Sequence, residues 1–377
     1  MECGTKQRMH YLDNIRSLII ILVVVVHSCV VYSGTGSWFY MDDEGTDDVT
    51  SAVLSVFQIF MQAFFMGILF FVAGYFVPGS FQRKGHSRFL KDRALRLGIP
   101  SLIFMFLIAP FMLYFIWYAE EESLAAWYSG YLTAPWDWDT GPMWFAVALL
   151  VFCIVYVGYK RLMDPRISKA EPKELTNLYI IGIAGFMAVA TFIVRIFYPI
   201  GTSVWNMQLC YFVQYATMFA LGIVAYKGNW LNKITDKMGR NWLIVGFVTM
   251  FTVVPAILVI GGPFDEDFFP YAGKLNWQSM MLTAWEQLYC MAMSIGLIVL
   301  FRRKLNVSGR LTGFLSRNSF AAYTFHPPVL TSIAVALAST ALIAPVKFLI
   351  LVPAAVAATF LLCEFVIRRL PGLKKLF

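Results

Sequence analysis

Two ionisable side chains in the first long apolar segment are well placed for chemistry. Arg16 lies near its start and His27 eleven residues later, in LDNIRSLIIILVVVVHS. On an α-helix, eleven residues return to within about 20° of the same face and rise about 16 Å. An arginine at the membrane surface could hold phosphates while the deeper histidine, which exchanges protons near neutral pH, meets the reactive end of a long ligand. The alternative is an interfacial anchor and a buried histidine bonded to another helix.

A second candidate site is a pair of arginines in the basic stretch between residues 79 and 98. Arg93 and Arg96 are three residues apart, which would place both guanidinium groups on one face of an α-helix. Paired guanidinium groups suit phosphate recognition because each can form two parallel hydrogen bonds. The alternative is that the whole stretch only enforces membrane topology.

Two further ionisable residues lie within later apolar segments. Glu286 occurs in LTAWEQLYC, at a depth where a carboxylate needs a partner. His326 occurs in AAYTFHPPVL, where Pro327 and Pro328 lack backbone N–H groups and so leave carbonyls free for other donors. We expect both residues to orient His27 or to shape its cavity. The alternative for His326 is a structural histidine at a proline kink.

Aromatic and acidic residues alternate in the sequence WYSGYLTAPWDWDTGPMWF. Aromatic faces beside carboxylates can stack on a sugar and bond its hydroxyls. The candidate residues for such an acceptor are Trp136, Asp137, Trp138 and Trp144. The alternative is an aromatic belt at the membrane surface.

The elements that position these residues are predicted to be transmembrane helices. Of 377 residues, 59% are apolar and 14% are charged, whereas about a quarter of a soluble domain is charged. About 20 apolar residues cross a bilayer, and ten segments qualify. They are 17–35, 52–78, 98–118, 142–160, 177–197, 207–226, 242–260, 277–301, 319–342 and 345–367. We therefore expect an all-α bundle that forms one membrane domain over residues 1–377, with no separate soluble domain and with the last two helices as a tight pair.

Charge predicts the orientation of this bundle, because Lys and Arg accumulate in cytoplasmic loops. With both termini in the cytoplasm, every one of the 30 basic residues falls on that side except Arg195, Lys274 and Lys347. Acidic residues gather in the opposite loops. The net charge of +8 thus indicates contact with membrane lipid rather than with nucleic acid.

The six cysteines are scattered through apolar segments and form no pair or cluster at metal-ligand spacing. They are typical of small buried residues, and we expect neither a disulfide framework nor a metal site.

Taken together, these blocks resemble the membrane acyltransferase 3 family, especially its branch related to glucan biosynthesis. The resemblance rests on LDNIRSLIIILVVVVHS, FFMGILFFVAGYF, FLKDRALRLGIPSLIF, GPMWFAVALLVF, WEQLYC and SFAAYTFHPPVL, which follow the family's order along nearly the whole chain. It implies an enzyme of the bacterial plasma membrane that transfers an acetyl or succinyl group from cytoplasmic acyl-coenzyme A. The acceptor would be an extracytoplasmic hydroxyl, usually on a carbohydrate.

The resemblance also implies roles for individual residues. Arg16, Arg93 and Arg96 would bind the coenzyme A phosphates, and His27 would activate the acceptor hydroxyl or carry the acyl group itself. The sequence leaves these two routes open. Two other classes also remain open: a proton-coupled transporter or flippase of a glycan or lipid-linked precursor, with His27 and Glu286 as its relay, and a sensor or assembly subunit without chemistry.

Overall fold

The computed structural model describes residues 8–136, 138–162, 174–262 and 269–377. These residues are predominantly helical and contain no β-strand beyond an isolated bridge between Val204 and Met207. The fold therefore belongs to the all-α class that the sequence predicts.

Fifteen α-helices lie within the described residues. Their bounds are α1 His10–Ser33, α2 Asp48–Gln62, α3 Phe65–Arg93, α4 Ile99–Ile103, α5 Ala109–Leu113, α6 Leu124–Thr133, α7 Trp144–Leu162, α8 Asn177–Phe197, α9 Phe212–Gly228, α10 Trp230–Lys233, α11 Asp236–Gly261, α12 Phe269–Ala272, α13 Trp277–Lys304, α14 Arg310–Ala338 and α15 Ala344–Phe365. Wider π-helical turns occupy Ala94–Gly98, Phe104–Ile108 and Tyr114–Tyr118, on either side of α4 and α5.

Nine helical stretches in the described part of the chain are long and apolar enough to cross a membrane, one fewer than the ten predicted segments. The difference lies in Asp48–Tyr118, a stretch of 71 residues that contains both the second and the third predicted segment. A turn at Ala63 and Phe64 and the non-helical backbone of Gly85 divide it. Each of the ten predicted segments therefore overlaps one of the nine helical stretches.

Pro110 explains part of the irregular backbone between residues 94 and 118. Pro110 has no N–H, so it cannot bond the carbonyl of Phe106 four residues earlier. The hydroxyl of Tyr128 donates to that carbonyl at 2.7 Å, and the hydroxyl of Tyr131 donates to the adjacent carbonyl of Met105 at 2.8 Å. The short helix α6 is thus fastened to the backbone of this irregular stretch.

Loop contacts define two ends of the bundle. At one end, Trp117 donates to Phe39 O, Thr140 donates to Trp205 O, and Lys347 pairs with Asp42. We call this the acidic end; it comprises 34–47, 119–123, 134–136, 138–140, 198–208, 273–276 and 339–343.

At the opposite end, Asn14 donates to Leu305 O, and Arg302 pairs with Asp236. We call this the basic end; it comprises the start of α1, the segment 83–96, the end of α7, the starts of α8 and α11, the loop 304–309 and the end of α15. Within the described ranges, the predicted outer and inner loops thus lie at opposite ends of the bundle.

The helix that carries Arg16 and His27 lies in the interior of the bundle. Helix α1 packs against α2, α3, α13, α14 and α15, and α1 and α13 are the two most buried of the described membrane stretches. The predicted tight pair of final helices is also present, because α14 packs along α15. Side chains of α1 therefore face other helices rather than lipid.

Glycines allow a close crossing between α3 and α9. A Cβ atom on Gly74 would lie 2.1 Å from Phe219 O, and one on Gly222 would lie 2.1 Å from Phe71 O. Only glycine fits at such a backbone contact. This crossing fixes the part of α3 that precedes the break at Gly85.

Candidate functional site

A histidine pair joins α1 to α14. His27 Nδ1 lies 2.8 Å from His326 Nε2, and the two rings are nearly parallel, with their centroids 5.0 Å apart. His326 is fully buried, whereas His27 is half-buried. Two ring nitrogens at this distance share one proton, since two N–H groups would point at each other. The structure therefore brings together two residues that lie 299 positions apart in the sequence.

The proline after His326 determines which nitrogen carries the proton. Pro327 cannot bond the carbonyl of Tyr323, four residues earlier in α14. His326 Nδ1 lies 2.8 Å from that carbonyl oxygen, which can only accept a hydrogen bond. In the neutral ring of His326, Nδ1 therefore holds the proton, and Nε2 accepts a hydrogen bond from the N–H of His27 Nδ1. This arrangement leaves His27 Nε2 unprotonated.

The second ring nitrogen of His27 is available for chemistry. Within the described residues, Nδ1 makes the hydrogen bond of this side chain and Nε2 has no partner. An unprotonated imidazole nitrogen that is oriented by a bond to the other nitrogen can act as a general base or as a nucleophile. The residue sits six positions before Ser33, or about 9 Å inside the acidic end of α1.

An indole ring covers the face of His27. Trp38 stacks on the imidazole with a centroid distance of 4.0 Å and an interplanar angle of 21°. It also lies 5.9 Å from the ring of His326. Trp38 was not singled out from the sequence, because nothing in SGTGSWFYM distinguishes this tryptophan from the other aromatic residues of the outer loops.

Arg16 lies near the basic end of the same helix. Its guanidinium pairs with Asp13, which also binds Arg8 at 2.9 Å, and lies 5.9 Å from the ring centroid of Phe76. The side chain remains 44% exposed and is therefore open to a ligand. Because α1 is continuous from His10 to Ser33, the helical register that relates Arg16 to His27 is present in the structure.

The arginine pair lies at the junction of α3 and the first π-helical turn. Arg93 ends α3, is half-buried, and lies 5.2 Å from the ring centroid of Phe89. Arg96 is exposed within Ala94–Gly98. The sequence argument assumed an α-helical turn, but the π-helical backbone widens the turn and alters the angle between the two side chains. Such turns occur frequently at functional sites.

Glu286 contacts Arg195 rather than either histidine. The carboxylate lies 2.7 Å from the guanidinium, which also donates to Thr283 at 2.8 Å, and both charged side chains are almost fully buried. Charge counting placed Arg195 in an outer region, but the structure places it inside the bundle. Its partner compensates the cost of burial. Glu286 therefore links α13 to α8.

The proposed acceptor residues separate into different environments. Trp136 is 89% exposed, whereas Trp138 packs edge-on against Phe106 and donates its indole N–H to Tyr131 O at 3.1 Å. Trp144 stacks on Tyr215 within the core. Asp137 lies outside the described residues.

The neighbouring carboxylate of Asp139 has a structural role. It accepts a 2.6 Å hydrogen bond from the backbone N–H of Gly141, and burial raises the pKa of the Asp139 carboxyl. Asp139 thereby orders the chain just before α7.

Comparison with known protein families shows the family of this chain. The profile of the acyltransferase 3 family, described as an acyltransferase domain, matches residues 9–364. The chain belongs to the acyltransferase 3 family. The matched range includes both histidines and the arginine pair, and it covers most of the nine helical stretches in the described ranges that are long and apolar enough to cross a membrane.

The chain is also similar to curated relatives. Glucans biosynthesis protein C from Salmonella paratyphi B, Salmonella agona and Salmonella enteritidis is in each case 28% identical over 232 residues. The match covers 58% of this chain and 58% of each relative, so the chain spans little more than half the length of these proteins. No solved structure matches the chain.

Proposed function

We propose that this protein transfers an acyl group from acyl-coenzyme A at the basic end to a hydroxyl group at the acidic end. The observation that supports the proposal is the 2.8 Å contact of His27 Nδ1 with His326 Nε2, which leaves Nε2 of His27 available, on the same helix as Arg16 and about 16 Å from it along the axis. The basic end would face the cytoplasm, where coenzyme A is present, and the acidic end would face the cell envelope. The membrane would be the bacterial plasma membrane.

In the reaction, His27 Nε2 takes the proton from the acceptor hydroxyl as its oxygen attacks the thioester carbon. The new C–O bond forms, the C–S bond breaks, and the proton passes from His27 to the departing coenzyme A sulfur. Proton transfer of this kind contributes about 10²- to 10⁴-fold. Holding both reactants within the bundle contributes further, because the reaction becomes effectively unimolecular.

A covalent route uses the same nitrogen. His27 Nε2 would attack the thioester carbon, the C–S bond would break, and coenzyme A would be released as the thiolate. The acceptor oxygen would then attack the acyl carbon, the C–N bond to His27 would break, and the hydroxyl proton would pass to the coenzyme A thiolate. The proton arrangement of the histidine pair serves either route. Trapping an acylated His27 after mixing with donor alone distinguishes them.

His326 acts through His27 rather than on the substrates. Its Nε2 accepts a hydrogen bond from His27 Nδ1 throughout the cycle, so the proton stays on Nδ1 and the lone pair of neutral His27 stays on Nε2. When His27 becomes protonated, the same hydrogen bond becomes charge-assisted and stronger. His326 is therefore a positioning residue.

The donor would be held by arginines at the basic end. Arg96 is exposed and Arg16 is partly exposed, so both can meet the phosphates of coenzyme A, with Arg93 beside them in sequence. Arginine suits this role because its planar group binds a phosphate through two hydrogen bonds. The pantetheine arm would then run beside α1 towards His27.

The acceptor would approach from the acidic end and is proposed to be a carbohydrate. The names of the relatives support a glucan, and the exposed ring of Trp136 offers a face for stacking on a sugar. Trp138, Asp137 and Trp144 complete the proposed acceptor region. The transferred group is acetyl or succinyl.

A donor assay tests the function. Purified protein in detergent is mixed with radiolabelled acetyl- or succinyl-coenzyme A and with linear or cyclic glucan, and label on the glucan and free thiol are measured together. We expect transfer with wild-type protein and none with His27→Ala. Glucan or lipid-linked glycan uptake into proteoliposomes without acyl turnover would instead support a transporter.

A further inference from the structure

The indole ring of Trp38 covers one face of the His27 imidazole. The ring of Trp38 and the two imidazoles of the histidine pair are nearly parallel, with interplanar angles of 3° to 21°. Resting on the proposed function, we propose that Trp38 is a positioning residue that fixes the plane of His27 and stabilises its protonated form during acyl transfer.

The hydrogen bond to His326 restrains only one edge of the His27 ring. An imidazole held at one nitrogen can still swing about that bond and carry Nε2 away from the acceptor hydroxyl. Contact with a broad indole face removes this freedom, because stacking is favourable only when the rings stay parallel. The hydrogen bond and the stacking contact together set both the direction and the plane of the ring.

The stacking contact strengthens when His27 accepts a proton. A cation over an aromatic ring is attracted by the negative face of the ring, and tryptophan gives the largest effect. His27 carries its positive charge after it has deprotonated the acceptor and before it protonates the leaving sulfur. Stabilisation that grows with this charge accelerates the reaction by about 2- to 30-fold for a partly desolvated contact.

Contacts of neighbouring residues fix the loop that carries Trp38. The backbone N–H of Asp42 donates to Val31 O at 2.8 Å, and the Asp42 carboxylate pairs with Lys347 at 2.9 Å. The backbone of Phe39, next to the stacked ring, accepts a 2.9 Å hydrogen bond from the indole of Trp117. These contacts fasten the loop between α1 and α2 to α15 and to the third π-helical turn.

The polar group of Trp38 does not explain its position. Its buried Nε1 has no hydrogen-bond partner within the described part of the chain. A buried unpaired donor is unfavourable, so the packing of the ring must outweigh it. The ring face against His27 is therefore the contribution that a substitution should test.

The test compares Trp38→Leu and Trp38→Phe with matched changes at Trp277, which is 44% exposed at the start of α13. Transfer from labelled acetyl- or succinyl-coenzyme A to glucan is followed at varied donor and acceptor concentrations. We expect Trp38→Leu to lower kcat by about 2- to 30-fold while both KM values stay within about twofold. Phenylalanine keeps an aromatic face and should recover most of the loss, and neither Trp277→Leu nor Trp277→Phe should change kcat.

Three results would overturn the proposal: an unchanged kcat in Trp38→Leu, an equal loss in the leucine and phenylalanine variants, or a change confined to KM. His27→Ala in the same assay separates this inference from the proposed function. If wild-type protein transfers acyl groups, His27→Ala does not, and the Trp38 variants match wild type, only the inference fails. If wild-type protein gives no acyl turnover, the proposed function fails and the inference falls with it.

Discussion

Replacing His326 with phenylalanine should slow acyl transfer while leaving donor binding intact. The variant keeps an aromatic ring in α14 but removes the nitrogen that accepts the proton of His27 Nδ1 over 2.8 Å. A buried donor left without its partner costs about 1–3 kcal/mol. If this bond is needed in the transition state, the loss corresponds to a decrease in kcat of roughly 5- to 150-fold. The lost restraint on the tautomer acts in the same direction.

His326→Gln provides the matched comparison, because its side-chain oxygen can reach the place of the missing nitrogen and accept the same proton. We expect it to recover most of the activity. Initial rates of label transfer at varied donor concentration give kcat and KM, and thermal unfolding in detergent checks that each variant is folded. His86→Phe is the control for replacing a histidine outside the pair. Full activity in His326→Phe, or equal loss in the glutamine and phenylalanine variants, would refute the proton arrangement.

Three other perturbations test separate parts of the structure. Pro327→Ala adds a backbone N–H that competes with His326 for the carbonyl of Tyr323, so kcat should fall several-fold. The unfolding temperature should stay the same or rise, because a proline inside a helix costs about 3 kcal/mol. An unchanged kcat would contradict this role. Arg93→Ala and Arg96→Ala should each raise the donor KM by about tenfold with little change in kcat, because each loses a charge-assisted contact to a phosphate. Donor affinity is measured by calorimetry, and an unchanged affinity would indicate that the arginines only set the membrane topology. Glu286→Gln leaves Arg195 buried without its counter-charge and should destabilise the protein by about 3–5 kcal/mol. Adding Arg195→Gln to this variant should recover part of the lost stability. Thermal unfolding of Glu286→Gln that matches wild type would show that the ion pair does not stabilise the fold.

Much of the fold could be predicted from length and hydropathy, because each span is decided locally. Twenty apolar residues cross a bilayer whatever surrounds them. The division of Asp48–Tyr118 could not be predicted in detail, since its π-helical turns depend on packing and on which carbonyls other side chains bind. A single sequence does not contain those partners.

The candidate site was predicted in part. Arg16 and His27 share a helix, so their register follows from spacing alone. The contact between His27 and His326 depends on how α1 packs against α14, which periodicity does not specify. The freed carbonyl near Pro327 was expected, whereas its use by His326 became visible only in three dimensions.

Other features were missed for the same reason. Arg195 follows a long apolar run and resembles a residue at a helix end, yet its side chain turns inward to Glu286. Trp38 lies in a short loop whose position is set by Lys347, more than 300 residues away. Such pairings are tertiary and leave no local signal.

Single-turnover acyl transfer by His27→Ala tests the central claim most directly. Purified wild-type and variant proteins are each saturated with labelled acetyl- or succinyl-coenzyme A, mixed with glucan, and quenched at successive times. The account predicts that His27→Ala binds the donor with an affinity close to that of wild type but transfers label at least about 100-fold more slowly, because the proton of the acceptor has no base. Transfer at the wild-type rate by a folded, donor-bound His27→Ala protein would contradict it.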